Sequence, residues 1–199
     1  RYMELLAMLY EILQKARKEG LMAIEKDVEA PHESEIFKKY PVVGNDHHVI
    51  EFTTDYLRMM VSGNLNSHEI EALMDAEIDT HHAEAHAPVA AIARLAGALP
   101  AFGIVAAVLG VVNTMGSVGQ PPSVLGGMIA SALVGTFMGV FMAYGLVGPF
   151  ASKVKSVVEE DAHFHKLIRE VLVANLHRHP PNICIEVGRQ NTPHHIRPS

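Results

Sequence analysis

Tryptophan is absent from this 199-residue chain, and cysteine occurs once, at Cys184. A single thiol excludes an internal disulfide framework and a cysteine-based zinc site, and it fits a reducing compartment. Positive charge is also scarce: 16 Lys+Arg stand against 22 Asp+Glu, a formal net charge of -6. Such a chain offers no basic field for nucleic acid, which argues against a DNA- or RNA-binding role. A cleavable secretory leader is not visible either, because residues 2–16 form an amphipathic run with charges inside it. The first residue is Arg1, which fits a fragment of a longer chain.

Charge is missing altogether from one block. Residues 95–152, 58 in a row, contain no Asp, Glu, Lys, Arg or His, and the mean hydropathy of the chain is raised to +0.16. A spanning helix needs about 20 predominantly apolar residues, so this block holds two with room for a turn. The cluster Gly116-Ser117-Val118-Gly119-Gln120-Pro121-Pro122-Ser123 breaks helices and places the turn. The expectation is a transmembrane hairpin with spans at about 99–115 and 125–147 in an all-α membrane protein. A cytoplasmic helical domain, 1–94, would precede it, and a C-terminal helix and tail, 153–199, would follow. A hairpin returns both flanks to one side, and Lys153 and Lys155 directly after the second span put that side in the cytoplasm.

Outside the block the periodicity is helical. Tyr2, Leu5, Leu6, Leu9, Ile12, Leu13 and Ala16 make one stripe, which Gly20 ends. Short helices are expected at 21–29 and 48–62, the second stopped by Gly63. Asn66-Ser67-His68-Glu69 has the capping-box arrangement and should start a long helix that bends near Pro88 and feeds the first span. After the second span, Val154, Val157, Asp161, Phe164, Ile168, Val171 and Leu172 predict an amphipathic helix ending near His177. Residues 182–187 read as a short strand.

Inside the second span Gly127, Ser131, Gly135, Gly139 and Ala143 recur every fourth residue, a small-residue face on which helix backbones can approach closely. The spacing alone does not name the neighbour. Thr136 is one of few hydroxyls in the span, and a Thr in such a place usually bonds back to its own helix. Pro100 and Pro149 lack N–H groups and, in continuous helix, release the carbonyls of Ala96 and Gly145. Freed carbonyls can hinge a helix or face a hydrated ion, or each proline can simply mark a helix end. Ion paths through lipid generally use an ionisable relay, and this hairpin has no Asp, Glu, Lys, Arg or His to serve as one. If it lines such a path, a partner must supply the carboxylate. Among the 13 histidines, His82 and His86 are four apart near His81, Glu77 and Glu84, but no metal-binding motif is completed and solvated helix surface accounts for them. No phosphate loop or nucleophile–base set appears, so neither an enzyme activity nor a cofactor is expected.

The run Leu99-Pro100-Ala101-Phe102-Gly103-Ile104-Val105-Ala106-Ala107-Val108-Leu109-Gly110-Val111-Val112, with Leu133-Val134-Gly135-Thr136-Phe137-Met138-Gly139 and Ala143-Tyr144-Gly145, strongly resembles the MotA family of bacterial flagellar stator subunits. Glu33-Ser34-Glu35-Ile36-Phe37, Glu69-Ile70-Glu71-Ala72-Leu73-Met74-Asp75, and Pro180-Pro181 with Glu186-Val187-Gly188-Arg189 also look like family motifs. The resemblance implies two further transmembrane helices before Arg1 and a pentamer around a dimer of MotB, whose single transmembrane helix carries the proton-binding Asp. It implies proton-driven torque on the rotor switch protein FliG, in the bacterial inner membrane. It assigns Pro100, Thr136 and Pro149 to the ion path, and Arg17 and Glu25 to rotor binding. Sodium-driven members tend to carry Thr where this chain has Ala107, which points to protons. The ExbB/TolQ energisers of outer-membrane processes share the hairpin and the partner logic, and a non-conducting membrane scaffold is the remaining alternative.

Overall fold

The computed structural model describes residues 1–199, and every regular element in it is helical. In chain order these are α1 (Tyr2–Glu19), a 3-10 turn (Leu21–Ile24), α2 (Glu25–Glu29), α3 (Glu35–Lys38), α4 (Pro41–Gly44), α5 (His47–Ser62), α6 (Ser67–Met115) and α7 (Pro122–Phe141). A π-helical segment (Met142–Val147) leads into α8 (Gly148–Leu176), followed by α9 (Pro181–Gln190) and a 3-10 turn (His194–Ile196). The chain divides into two compact units, one of Arg1–His81 with Asp161–Ser199, the other of His82–Glu160.

The first unit is a water-type core. The α1 stripe buries Tyr2, Leu5, Leu6, Met8, Leu9, Ile12 and Leu13, and these join Phe52, Tyr56 and Leu57 of α5 and Phe164, Leu167, Ile168, Val171 and Leu172 of α8 in one cluster. Periodic apolar residues drive this, since each stripe removes its surface from water only by facing another. Local signals end the helices where expected. Gly20 and Gly63 take φ of 93° and 65°, a region that costs glycine little, and Asp46 accepts from the Val49 N–H at the start of α5. At the head of α6 the reciprocal cap forms: Asn66 N–H donates to Glu69 at 2.9 Å, and Glu69 N–H donates to the Asn66 side chain at 2.9 Å. Two short helices, α3 and α4, lie in a stretch that carried no periodic signal because four residues are too few to show one.

Residues 182–187 are helix α9, and the strand reading is corrected. Pro181 at the first helical position presets φ, and Pro180 before it is extended, so the pair starts a helix. One face of α9 then buries Cys184 and Gly188. Gly188 is there because α9 comes very close: a Cβ on it would stand 2.5 Å from Val171 Cγ2 and 2.8 Å from Leu6 Cδ2. The only residue other than glycine with positive φ is Arg178, at 62°. It closes α8 in a Schellman turn, with His179 N–H donating to Ala174 O and Arg178 N–H to Asn175 O.

Several polar groups of this unit are paired inside it. Asp27, buried, accepts from Ser34 at 2.6 Å and from Lys15 at 2.7 Å, and Tyr56 donates to Glu77. Arg169 donates to Glu71 at 2.9 Å, Asp75 at 3.0 Å and Glu170 at 2.8 Å, tying α8 to the beginning of α6. Burial and the Glu77 partner hold the Tyr56 phenol neutral well past its usual range.

The second unit is inverted in character. Phe102, Ile104, Leu109, Val112, Leu133, Phe137 and Leu146 are each more than half exposed. Windows of 18 residues in the 49-residue α6 and in Pro122–Leu176 reach mean hydropathies of 2.3 and 1.9 while burying only 6% of their residues. In water such surface would be strongly unfavourable, whereas a hydrocarbon surround accepts it. The two apolar helices anticipated from the uncharged block are thus present, connected by turns between Met115 and Pro122.

Candidate functional site

The apolar part of α6 and helix α7 form an antiparallel pair whose contact line is built from small residues. A Cβ on Gly139 would come within 2.7 Å of the Leu99 carbonyl oxygen, one on Gly103 within 2.8 Å of the Gly135 oxygen, and one on Gly110 within 2.6 Å of the Ala132 Cβ. Gly135 sits over Ala106 and Ala107, where an added Cβ would come 3.0 Å from the Ala106 Cβ and 3.5 Å from the Ala107 nitrogen. Such approach is available only without side chains in the way, and in lipid it yields van der Waals packing and weak Cα–H contacts.

The small-residue face read from the sequence is only partly this surface. Gly135, Gly139 and Ala143 are half-buried or buried, but Gly127 has open space where a Cβ would be and Ser131 is exposed. The reason is rotational: at 3.6 residues per turn a four-residue step drifts by about 40°, so 127 and 143 point about 160° apart. Contact with a nearly straight neighbour therefore passes from Gly135 to Ala132, three residues back, rather than to Ser131. The neighbour, which spacing left open, is the first span of the same chain, and Gly103, Gly110 and Ala132 are residues of this contact that the four-residue repeat did not mark. Small residues three or four apart in both spans, at 103, 106, 107 and 110 and at 132, 135 and 139, were the available signal.

The polar equipment of the pair is sparse. Thr114 bonds back to the Gly110 carbonyl at 2.9 Å, as a threonine within an apolar helix usually does. Thr136 differs. It is half-buried, its Cα would lie 3.4 Å from a Cβ on Gly103, and its hydroxyl makes no bond to its own helix. Pro100 lies inside α6 and is half-buried. Ala107 lies beside Gly135 through its backbone nitrogen, and the methyl group at this contact is that of Ala106.

Pro149 follows a change of helix type. Over Met142–Val147 the backbone widens to π, and Gly148 N–H donates to the Ala143 carbonyl five residues back. Proline alone was expected to deprive Gly145 of its α donor. The π register adds a second loss, because the α donor of Tyr144 is Gly148, now committed to Ala143, and its π donor would be Pro149, which has no N–H.

Arg17 lies in the last turn of α1 and Glu25 begins α2, with Gly20 at φ 93° between them. Both are exposed and neither forms an ion pair, so the two charges face outward as separate groups. The histidines at 82 and 86 lie with ring centroids 5.9 Å apart on α6.

Residues 45–166 match the model of the MotA/TolQ/ExbB proton channel family. The chain belongs to that family. Motility protein A of Escherichia coli (strain K12) is 44% identical over 198 residues, covering 100% of this chain and 67% of that protein. Chemotaxis protein LafT of Vibrio parahaemolyticus is 37% identical over 198 residues, covering 100% and 70%. Among solved structures, the flagellar MotAB stator complex from Bacillus subtilis superposes with a TM-score of 0.75 at 25% identity, over 97% of this chain and 67% of that one. The C. jejuni MotAB structure gives a TM-score of 0.83 at 21% identity, over 100% and 71%, a likeness of fold. Within the MotA/TolQ/ExbB family, similarity is therefore to flagellar stator subunits, membrane proteins that these comparisons describe as motility and channel components.

Proposed function

We propose that this chain is the A-type subunit of a flagellar stator, which with MotB forms a proton-conducting, torque-generating unit in the bacterial inner membrane. The observation that carries the reading is Thr136, a half-buried hydroxyl in an apolar span that leaves its own helix unbonded. A hydroxyl held in hydrocarbon is costly without a partner, so its place in the span favours a polar path alongside it. The absence of any Asp, Glu, Lys, Arg or His from 95–152 favours a proton-binding carboxylate on the partner helix.

In this reading Pro100, Ala107, Thr136 and Pro149 line or gate the path. The contact of Gly135 and Gly139 with the first span keeps the hairpin rigid beside it. Segments 1–94 and 153–199 lie in the cytoplasm, flanking the hairpin 95–152 of a multi-pass protein, and Arg17 and Glu25 meet FliG. The subunits form a pentamer around the MotB dimer. Each proton crossing 100 mV releases about 2.3 kcal/mol, so successive passages supply a mechanical cycle.

The test is reconstitution of the full-length protein with its B-type partner in liposomes under an imposed potential. Proton uptake that vanishes when the partner's transmembrane Asp is changed to Asn supports conduction. No flux at any pH or potential, with the complex intact, would leave a passive scaffold.

A further inference from the structure

We infer that the Tyr144 carbonyl oxygen, exposed by the π turn ahead of Pro149, is a binding point for water or a hydrated proton at the end of the second span. Regular helix would give that oxygen the N–H of Gly148, but this group donates to Ala143 instead. The π register would give it the N–H of residue 149, and proline has none. Tyr144 is thus outside the hydrogen-bond ladder of either helix type, directly beside Gly145, whose α donor is also Pro149.

An unbonded carbonyl at the edge of hydrocarbon is expensive, and such groups persist in membranes only where protein or water satisfies them. Single π turns inside α-helices are also frequent at functional sites. Here the sequence holds the turn in two ways. Gly148 permits it, since a Cβ on this residue would stand 2.6 Å from the Ala143 oxygen, which is the acceptor of its own N–H. Pro149 prevents the ladder from closing again behind it. A purely structural proline would need neither the π register nor glycine before it. The ligand chemistry follows from the oxygen: a carbonyl accepts hydrogen bonds, so it takes water or hydronium directly.

The proposal rests on the conduction reading, and its test separates the two. A 13C=18O label placed at residue 144 of the reconstituted complex reports the carbonyl by infrared spectroscopy, in H2O and after exchange into D2O. A band that shifts on exchange and on imposing a proton gradient is expected. A band indifferent to both, as for an oxygen sealed in a helix, overturns the proposal whatever the flux. In parallel, Gly148→Ala forces the Ala143 contact to open and should lower proton flux by about tenfold or more, each factor of ten being about 1.4 kcal/mol of barrier. Leu146→Met, at an exposed position of the same turn, should conduct normally. Unchanged flux in an assembled Gly148→Ala complex sinks the inference. If that variant fails to assemble, the spectrum of the unmutated complex decides. Absence of flux in the unmutated complex would instead count against the proposed function.

Discussion

Gly139 lies so close to Gly103 that a Cβ placed on it would come within 2.9 Å of the Gly103 Cα and 2.7 Å of the Leu99 carbonyl oxygen. Both obstacles are backbone, which cannot rotate away as a flexible side chain can. The two spans therefore meet backbone to backbone within a single chain.

Replacing Gly139 with Leu should separate the two spans and cost about 1–3 kcal/mol, the range for overpacking. Leu in place of Met138, which is exposed, should be nearly neutral. Membrane levels and detergent-resistant complex, compared by size exclusion, provide the check. Normal assembly of Gly139→Leu would mean that the Gly103 contact does not hold the hairpin.

Arg169 gathers Glu71, Asp75 and Glu170. Its side chain is only 15% exposed, so Arg169→Met would leave three carboxylates facing one another without their cation. A loss of about 1–3 kcal/mol is expected, in line with hydrogen bonds to charged groups. Thermal unfolding should register this, and charge removal at Glu71 in the same protein should recover part of it. No recovery would show that the carboxylates do not repel.

Acid should act on the end of α9. The side-chain bond from Arg189, followed by that from Gln190, holds the Glu186 carboxyl down to about 2, against an ordinary value of 4.5. A lowered folded value means that the ionised form is favoured by folding. The contribution is therefore present above about 4.5 and is lost as pH falls toward 2. Arg189→Met should move the carboxyl back toward its ordinary value. Titration of the Glu186 carboxyl by NMR in both proteins tests this, and identical midpoints would refute it.

Proton specificity is expected from Ala107. Dehydrated sodium needs several oxygen ligands, and a methyl group supplies none. Flux through the reconstituted complex should follow the proton gradient and ignore sodium. Flux that tracks sodium at a fixed proton gradient would overturn the assignment.

Charge reversal at Arg17 should reduce torque while leaving conduction and assembly intact, because Arg17 is exposed and makes no ion pair within the chain. A compensating reversal on the rotor should restore swimming. Loss of membrane assembly would instead make Arg17 structural.

The sequence by itself determined the features that depend on near neighbours along the chain. The uncharged run 95–152 settles a pair of apolar helices because composition over about 20 residues is all that such a helix requires. Gly63 stops α5 because glycine takes the left-handed turn at little cost, and Asn66 with Glu69 starts α6 because that cap is made by residues three positions apart. Tertiary structure decided the rest. Residues 182–187 alternate well enough for a strand, but packing of Cys184 and Gly188 on one helical face selected α9. The four-residue repeat in the second span suggested one continuous face, yet contact with Gly103 and Gly110 transferred it from Ser131 to Ala132. Arg169 meets Glu71 and Asp75 across more than 90 residues, and no local pattern marks that pairing. Helical turns are set by bonds reaching a few residues, whereas the partner of a face is set by whichever surface, distant in the chain, leaves room for it.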